Sequence, residues 1–152
     1  MENILRQLRS PEQEGPEVEK AEGKLKNYKL KHSRLLTCYS ALLYLLAVYR
    51  RSETVHPMDA IAMIRLTPTE RLEWLTSQPY LGAAHAPLKE LLHQYEIFLR
   101  TTNVNKDELV QSFMDKATSQ LHMGEAYTFG DLMFKALTTI GNGNRFHRLL
   151  VV

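Results

Sequence analysis

The sequence contains a single cysteine, Cys38, so no disulfide can form within the chain. It also has no Cys-x-x-Cys pair and no Cys/His cluster of the kind that binds zinc or carries out redox chemistry. A disulfide scaffold is therefore excluded, and the composition fits a protein of the reducing cytoplasm. Because Cys38 lies within an apolar run, we expect it to be a small buried residue, not a reactive thiol.

A hydrophobic run long enough to cross a membrane is also lacking. The longest uncharged apolar run, LLTCYSALLYLLAVY, covers fifteen residues between Arg34 and Arg50. As a helix it would extend over about 22 Å, against about 30 Å of bilayer hydrocarbon. It follows a segment with many charges of both signs, which is unlike the short positive start of a signal peptide. We expect no membrane span and a cytoplasmic location.

Neither sign of charge dominates. Lys and Arg number 19 against 17 Asp and Glu, which leaves a net charge of +2 and gives little support for a nucleic-acid or anionic membrane partner. Apolar residues make up 44% of the 152 residues, close to the globular average, which excludes a disordered or collagen-like chain. This length suits one domain with a substantial core.

The chain divides into a short tail and one helical domain. The first 23 residues contain two prolines, two glycines and six glutamates, a composition that buries too little apolar surface to offset its ordering entropy. We assign residues 1–16 to a flexible tail and residues 17–152 to the helical domain. From Glu17 the pattern becomes helical, and this first helix should continue to about Arg51.

Prolines and capping residues mark the starts of further helices. Pro57 fits the first turn of a short helix, and Thr67, followed by Pro68 and Glu70, forms a capping box that starts another. Pro87 should open a longer amphipathic helix with an apolar stripe that includes Leu88 and Leu91.

The last third of the chain shows the same capping pattern twice more. Asn105 is a candidate cap for a fifth helix, and Thr128 with Asp131 should start a sixth. This last helix should stop at the sequence Gly141-Asn142-Gly143. We found no internal repeat and no convincing β pattern outside the terminal RFHRLLVV, which fits a helical turn or a short strand. The fold class is all-α: an irregular bundle of about six helices around a long central apolar helix, with a mobile N-terminal segment.

The apolar helix carries the leading functional hypothesis. A helix that is apolar on every side must be surrounded, and one layer of a chain this size leaves part of it for a partner. We expect a non-catalytic interaction or regulatory protein that self-associates, as a homodimer, through residues 35–49. The predicted interface residues are Leu35, Leu36, Tyr39, Leu42, Leu43, Leu46 and Tyr49.

A basic segment offers an alternative, a nucleic-acid-associated regulator. Residues 24–34 contain five basic side chains and no acidic one, and such a segment can neutralise phosphates without reading bases. It can equally be a solvated flank that keeps the apolar helix soluble. The five residues are Lys24, Lys26, Lys29, Lys31 and Arg34.

A third hypothesis is a helical ribonuclease with a closely spaced arginine and histidine. Arg50 and Arg51 precede His56 at such a spacing. With ten arginines and six histidines in the chain, roughly one such match is expected by chance, and a motif needs its structural context. A solvated helix end explains these residues better.

Metal binding is weakly indicated. Glu90, His93 and Glu96 follow one another at helical spacing, but on the polar side of their helix, whereas a di-iron bundle needs two such motifs and two further carboxylates pointing inward. His122 and Glu125 form a second carboxylate–imidazole pair, which we place in a loop. We predict no metal, no cofactor and no catalytic residues.

Overall fold

The structure, a computed structural model, describes residues 15–144 as six α-helices and one 3-10 turn. The predicted all-α fold is confirmed. The helices are α1 (Pro16–Ser52), α2 (Pro57–Arg65), α3 (Pro68–Thr76), α4 (Gly82–Thr102), α5 (Lys106–Met114) and α6 (Lys116–Gly141), and the 3-10 turn is Pro79–Leu81.

Three long helices form the body of the molecule. Near the start of α1, Tyr28 contacts Glu125 of α6, and near its end Arg50 contacts Thr139, so α1 and α6 run in the same direction. Helix α4 runs the opposite way, because Phe98 near its end packs on Tyr28, whereas Tyr80 just before it bonds to the carbonyl of Ala47.

The short helices close the two ends of this bundle. Helices α2 and α3 pack beside the second half of α1, and α5 packs beside its first half. Arg71 of α3 is buried and donates hydrogen bonds to the carbonyls of Met63 and Thr37 and to the Ser40 hydroxyl. Since no residue of α2 is buried, the bond to Met63 is one of the contacts that fix this helix on the bundle.

The core has two parts, one along each half of α1. The larger part joins the second half of α1 to α3, α4 and α6, around Leu43, Leu72, Leu88 and Phe129. The smaller part joins its first half to α4, α5 and α6, around Tyr28, Phe98 and Phe113. The long central helix expected from the sequence is confirmed, and it contributes to both parts.

Most predicted helix ends are confirmed. Pro57 and Pro68 each occupy the first turn of a helix, and the Thr67 hydroxyl accepts from the Glu70 amide while the Glu70 carboxylate accepts from the Thr67 amide. The Asn105 side chain caps α5. Helix α6 ends at Gly141, and Gly143 then adopts a left-handed φ of 82° that a residue with a Cβ adopts only with strain.

Two predicted starts are wrong. Helix α4 begins at Gly82, so Pro87 lies inside it, and α6 begins at Lys116, so Thr128 lies mid-helix and donates to the carbonyl of Gly124. The alanines between Gly82 and Pro87 have the highest helix propensity and carry the helix back to the 3-10 turn. The Asp115 side chain caps α6 thirteen residues before the predicted cap, Thr128.

Both chain ends fall outside the description. The predicted flexible tail, residues 1–16, lies there except for its last two residues, as does the terminal segment 145–152. Within residues 15–144, no helix is long and apolar enough to span a membrane.

Candidate functional site

An aromatic patch lies on the outside of α1 and α6. Tyr127 and Phe134 of α6 are 63% and 58% exposed, and the Lys31 ammonium of α1 lies 4.8 Å from the centre of the Tyr127 ring. The next heptad position on each of these parallel helices is Cys38 on α1 and Phe134 on α6, and both are exposed. We call this surface, together with the half-buried Leu42 and Leu45 that follow on α1, the α1–α6 face.

Of the predicted interface residues, only Leu42 belongs to the α1–α6 face. Leu36, Leu43 and Leu46 are buried in the core of the chain itself, where no partner can contact them. The other four are half-buried: Leu35, Tyr39, Leu42 and Tyr49. The all-round apolarity of the helix is therefore satisfied mainly within the chain, and only its outer side stays open to a partner.

Cys38 lies on that outer side. The expectation that it is buried is wrong, since the thiol is free and the residue exposed. The other helices cover only the arc of α1 that faces the bundle, and Cys38 projects from the opposite arc.

A polar cluster lies in the interior between α1 and α6. The Tyr28 hydroxyl donates to the Glu125 carboxylate at 2.9 Å, and Nδ1 of His122 donates to the same oxygen at 3.3 Å. Nδ1 of His32 lies 2.9 Å from the Tyr28 carbonyl and must donate, because a carbonyl only accepts. The cluster therefore consists of Tyr28, His32, His122 and Glu125, none of them in a loop.

Aromatic rings enclose this cluster and shift its proton equilibria. Burial, followed by the charge of Glu125, raises the pKa of Tyr28, so its hydroxyl stays a hydrogen-bond donor. Burial also lowers the pKa of His32, whose ring stacks on Phe98 at 4.5 Å. Tyr28 is 0% and His32 1% exposed, so neither can contact a substrate in solvent, and we interpret the cluster as a buried tie between two helices.

The basic segment does not form one continuous positive face. Lys26, Lys29, Lys31 and Arg34 are exposed and Lys24 is half-buried. Successive positions rotate by 100°, so these five side chains spread over more than half of the circumference of α1. Lys31 points to Tyr127, whereas Lys26 and Lys29 line a groove on another side of the helix.

The predicted ribonuclease residues have structural contacts. The Arg50 guanidinium donates to the Thr139 carbonyl at 2.7 Å and to that of Ile140 at 3.4 Å, and so caps the end of α6. The backbone N–H of His56 donates to Asp59 at the start of α2. Arg51 and His56 are both exposed.

The two carboxylates of the Glu90, His93 and Glu96 group have other partners. Glu90, His93 and Glu96 all lie on the exposed side of α4, where Glu90 accepts from Gln94 and Glu96 pairs with Arg100. In the described part of the chain, no group of three or more His, Cys, Asp or Glu residues is arranged to hold a metal ion.

Comparison with protein-family models, curated proteins and solved structures finds no match. Function must therefore be inferred from the side chains themselves.

Sequence reasoning missed two features of this site. Tyr28 and His32 continue the buried stripe of α1 at the spacing Leu25, Tyr28, His32, Leu36, which was a readable signal. Tyr127 and Phe134 lie outside the buried apolar stripe of α6, and their position off this stripe could have indicated in the sequence that they are exposed. The contact between Lys31 and the Tyr127 ring depends on how α1 packs against α6, which no local pattern encodes.

Proposed function

We propose that this protein acts without catalysis, through protein–protein contacts, and that it forms a homodimer through the α1–α6 face. The observation that carries the proposal is the exposure of two aromatic rings, Tyr127 and Phe134, on the side of α6 where Lys31 of α1 lies over the Tyr127 ring. Large aromatic side chains are the usual anchors of protein interfaces, and they are costly to leave in water.

The energy available from this surface is large enough to matter. A fully buried aromatic side chain removes roughly 150–250 Å² from water, so about 60% of that area corresponds to about 2–4 kcal/mol per ring at 25 cal/mol/Å². In a two-fold dimer each ring contributes twice, because both copies present the same patch. This gain offsets part of the entropy lost on association.

The surroundings of the patch also favour a protein partner. Lys31 stands over the Tyr127 ring, which gives the apolar surface a charged rim like that of many interfaces. The proposal of a non-catalytic role draws support from the buried cluster, whose Tyr28 and His32 are closed to solvent. A cytoplasmic location remains our proposal and is based on the single cysteine.

A pair of matched variants tests this function. Phe134→Lys places a charge on the α1–α6 face, whereas Leu121→Lys places the same charge on another side of the same helix at a residue that is 63% exposed. We expect the first variant to weaken dimerisation at least tenfold and the second to leave it unchanged, as measured by sedimentation equilibrium. Circular dichroism should show both variants folded, since neither position is buried.

The opposite pattern would overturn the proposal. If Phe134→Lys associates as strongly as the wild type, the α1–α6 face is not the interface. If Leu121→Lys weakens association equally, the effect is one of net charge and not of location.

A further inference from the structure

A second surface, separate from the α1–α6 face, lies where the first half of α1 meets the start of α5. It is a groove of about 440 Å³ lined by Glu22, Leu25, Lys26, Lys29, Leu30 and Lys106. The five α1 residues recur in successive helical turns, as Glu22, then Leu25 and Lys26, then Lys29 and Leu30, and so lie along one side of the helix. We call this surface the α1–α5 groove.

The groove is open because α3 covers only the later part of this side of α1. Lys26 and Tyr44 are separated by eighteen positions, which is five helical turns, and therefore point in the same direction. Tyr44 packs on Trp74 of α3 with 4.3 Å between the ring centres, whereas Lys26 is exposed. A docking helix would continue the layer that α3 begins.

We infer that the α1–α5 groove binds an acidic amphipathic segment of a partner protein. The floor is apolar, formed by the buried Leu25 and by Leu30, which is 37% exposed. The rim carries three ammonium groups, those of Lys26, Lys29 and Lys106, against the single carboxylate of Glu22. A segment that presents one large apolar side chain between Asp or Glu residues matches both features.

The same chemistry argues against nucleic acid as the occupant. Single-stranded nucleic acid is bound by grooves that pair positive charge with aromatic rings on which the bases stack. None of the six residues that line this groove is aromatic, and the leucine floor offers nothing to a phosphate backbone. This inference goes beyond the proposed homodimer, because it concerns a different surface and a different partner.

A peptide selection tests the inference with the full chain. A library of random 12-residue peptides displayed on phage is selected on the wild type after depletion on the Lys26→Glu/Lys29→Glu variant. We expect enriched peptides with Leu, Ile or Phe flanked by acidic residues at helical spacing. Fluorescence anisotropy should then show at least tenfold weaker binding to the double variant and several-fold weaker binding to Leu30→Ser.

Matched variants separate this groove from simple charge effects. Lys20→Glu/Lys135→Glu changes the net charge equally at exposed positions outside the groove and should leave peptide binding within about twofold. Phe134→Lys should bind the peptides normally, so that a failure of the dimer proposal and a failure of this one are distinguishable. Circular dichroism checks that each variant is folded.

Three outcomes would overturn the inference. The first is no enrichment on the wild type over the double variant. The second is binding that Leu30→Ser leaves unchanged, which means that charge alone attracts the peptide. The third is tighter binding of a single-stranded 12-nucleotide RNA with the same dependence on Lys26 and Lys29, which assigns the groove to nucleic acid.

Discussion

Tyr28 joins α1 to α6 through one hydroxyl group, which donates to the Glu125 carboxylate at 2.9 Å. Tyr28→Phe keeps the ring contacts with Phe98 and Phe113 and removes only that donor. We expect a loss of about 1–2 kcal/mol in the free energy of unfolding, because the acceptor is charged and partly buried. Urea denaturation measures it. Tyr127→Phe, on an exposed ring, should leave the free energy of unfolding nearly unchanged. An equal loss of stability in both variants would argue against a stabilising role of the Tyr28–Glu125 hydrogen bond.

His32 makes the stability of the fold depend on pH. Burial holds the pKa of His32 below its ordinary value of 6.5, and the neighbouring His122 lowers it further, against smaller opposing effects from the hydrogen bond to the Tyr28 carbonyl and from the charge of Glu125. Below pH 6.5 the unfolded chain therefore takes up a proton that the native state resists, so stability falls as the pH falls. One such proton contributes at most about 1.4 kcal/mol per pH unit.

The variant His32→Leu isolates this contribution. Leucine keeps an apolar side chain between Phe98 and Phe129 but cannot take up a proton. We expect urea denaturation between pH 7.5 and 5.5 to show a shallower decline for the variant than for the wild type. Parallel declines would mean that other groups cause the acid sensitivity.

For single residues, the sequence predicts contacts between residues that are close in the chain but not contacts between residues that are far apart in it. The capping pair Thr67 and Glu70 could be predicted because all of its atoms lie within four residues. Cys38 could not be placed correctly, since its exposure depends on which arc of α1 the other helices cover. The Tyr28–Glu125 bond joins residues 97 positions apart, and no local pattern reports it.

Among the helices, α2 depends most on its neighbours, because none of its nine residues is buried. Arg71 of α3 holds its end through the Met63 carbonyl and reaches α1 through Thr37 and Ser40. We expect Arg71→Ala to cost about 2–3 kcal/mol, because it leaves three acceptors without their charged donor. Hydrogen exchange in residues 57–65 should also accelerate.

Arg65→Ala is the matched control for this prediction. Arg65 lies at the end of α2 and is exposed, so its loss should leave both stability and exchange close to those of the wild type. Unchanged exchange in Arg71→Ala would mean that α2 is fixed by other contacts.

Helix boundaries could be predicted where a cap is local and were missed where packing decides. The beginning of α6 could not be recognised from the hydrophobic pattern, because two residues of its buried stripe, Ser119 and His122, are polar. The pair His122 and Glu125 was predicted, but its placement in a loop is wrong, because both residues lie within α6 and hydrogen-bond to each other in the interior. The predicted start of α4 at Pro87 is also too late, because proline is tolerated near the start of a helix at the cost of one hydrogen bond.

For the whole molecule, the sequence correctly predicts an all-α bundle with a long apolar helix. It does not predict that α1 and α6 run in parallel, which is the arrangement that brings Lys31 to the Tyr127 ring. Cys38 and Phe134 lie one heptad further along each helix. The interface that we propose therefore differs from the one predicted from the sequence: it lies along an edge shared by α1 and α6 and not in the middle of α1. Leu36, Leu43 and Leu46 belong to the core that supports this surface.

The central claim is that two copies of this chain associate through the α1–α6 face, and the most direct test is the molar mass of the wild-type protein. Light scattering across a wide concentration range should show a mass that rises toward twice the chain mass of 17.6 kDa. A mass that stays at 17.6 kDa at every concentration would contradict the account.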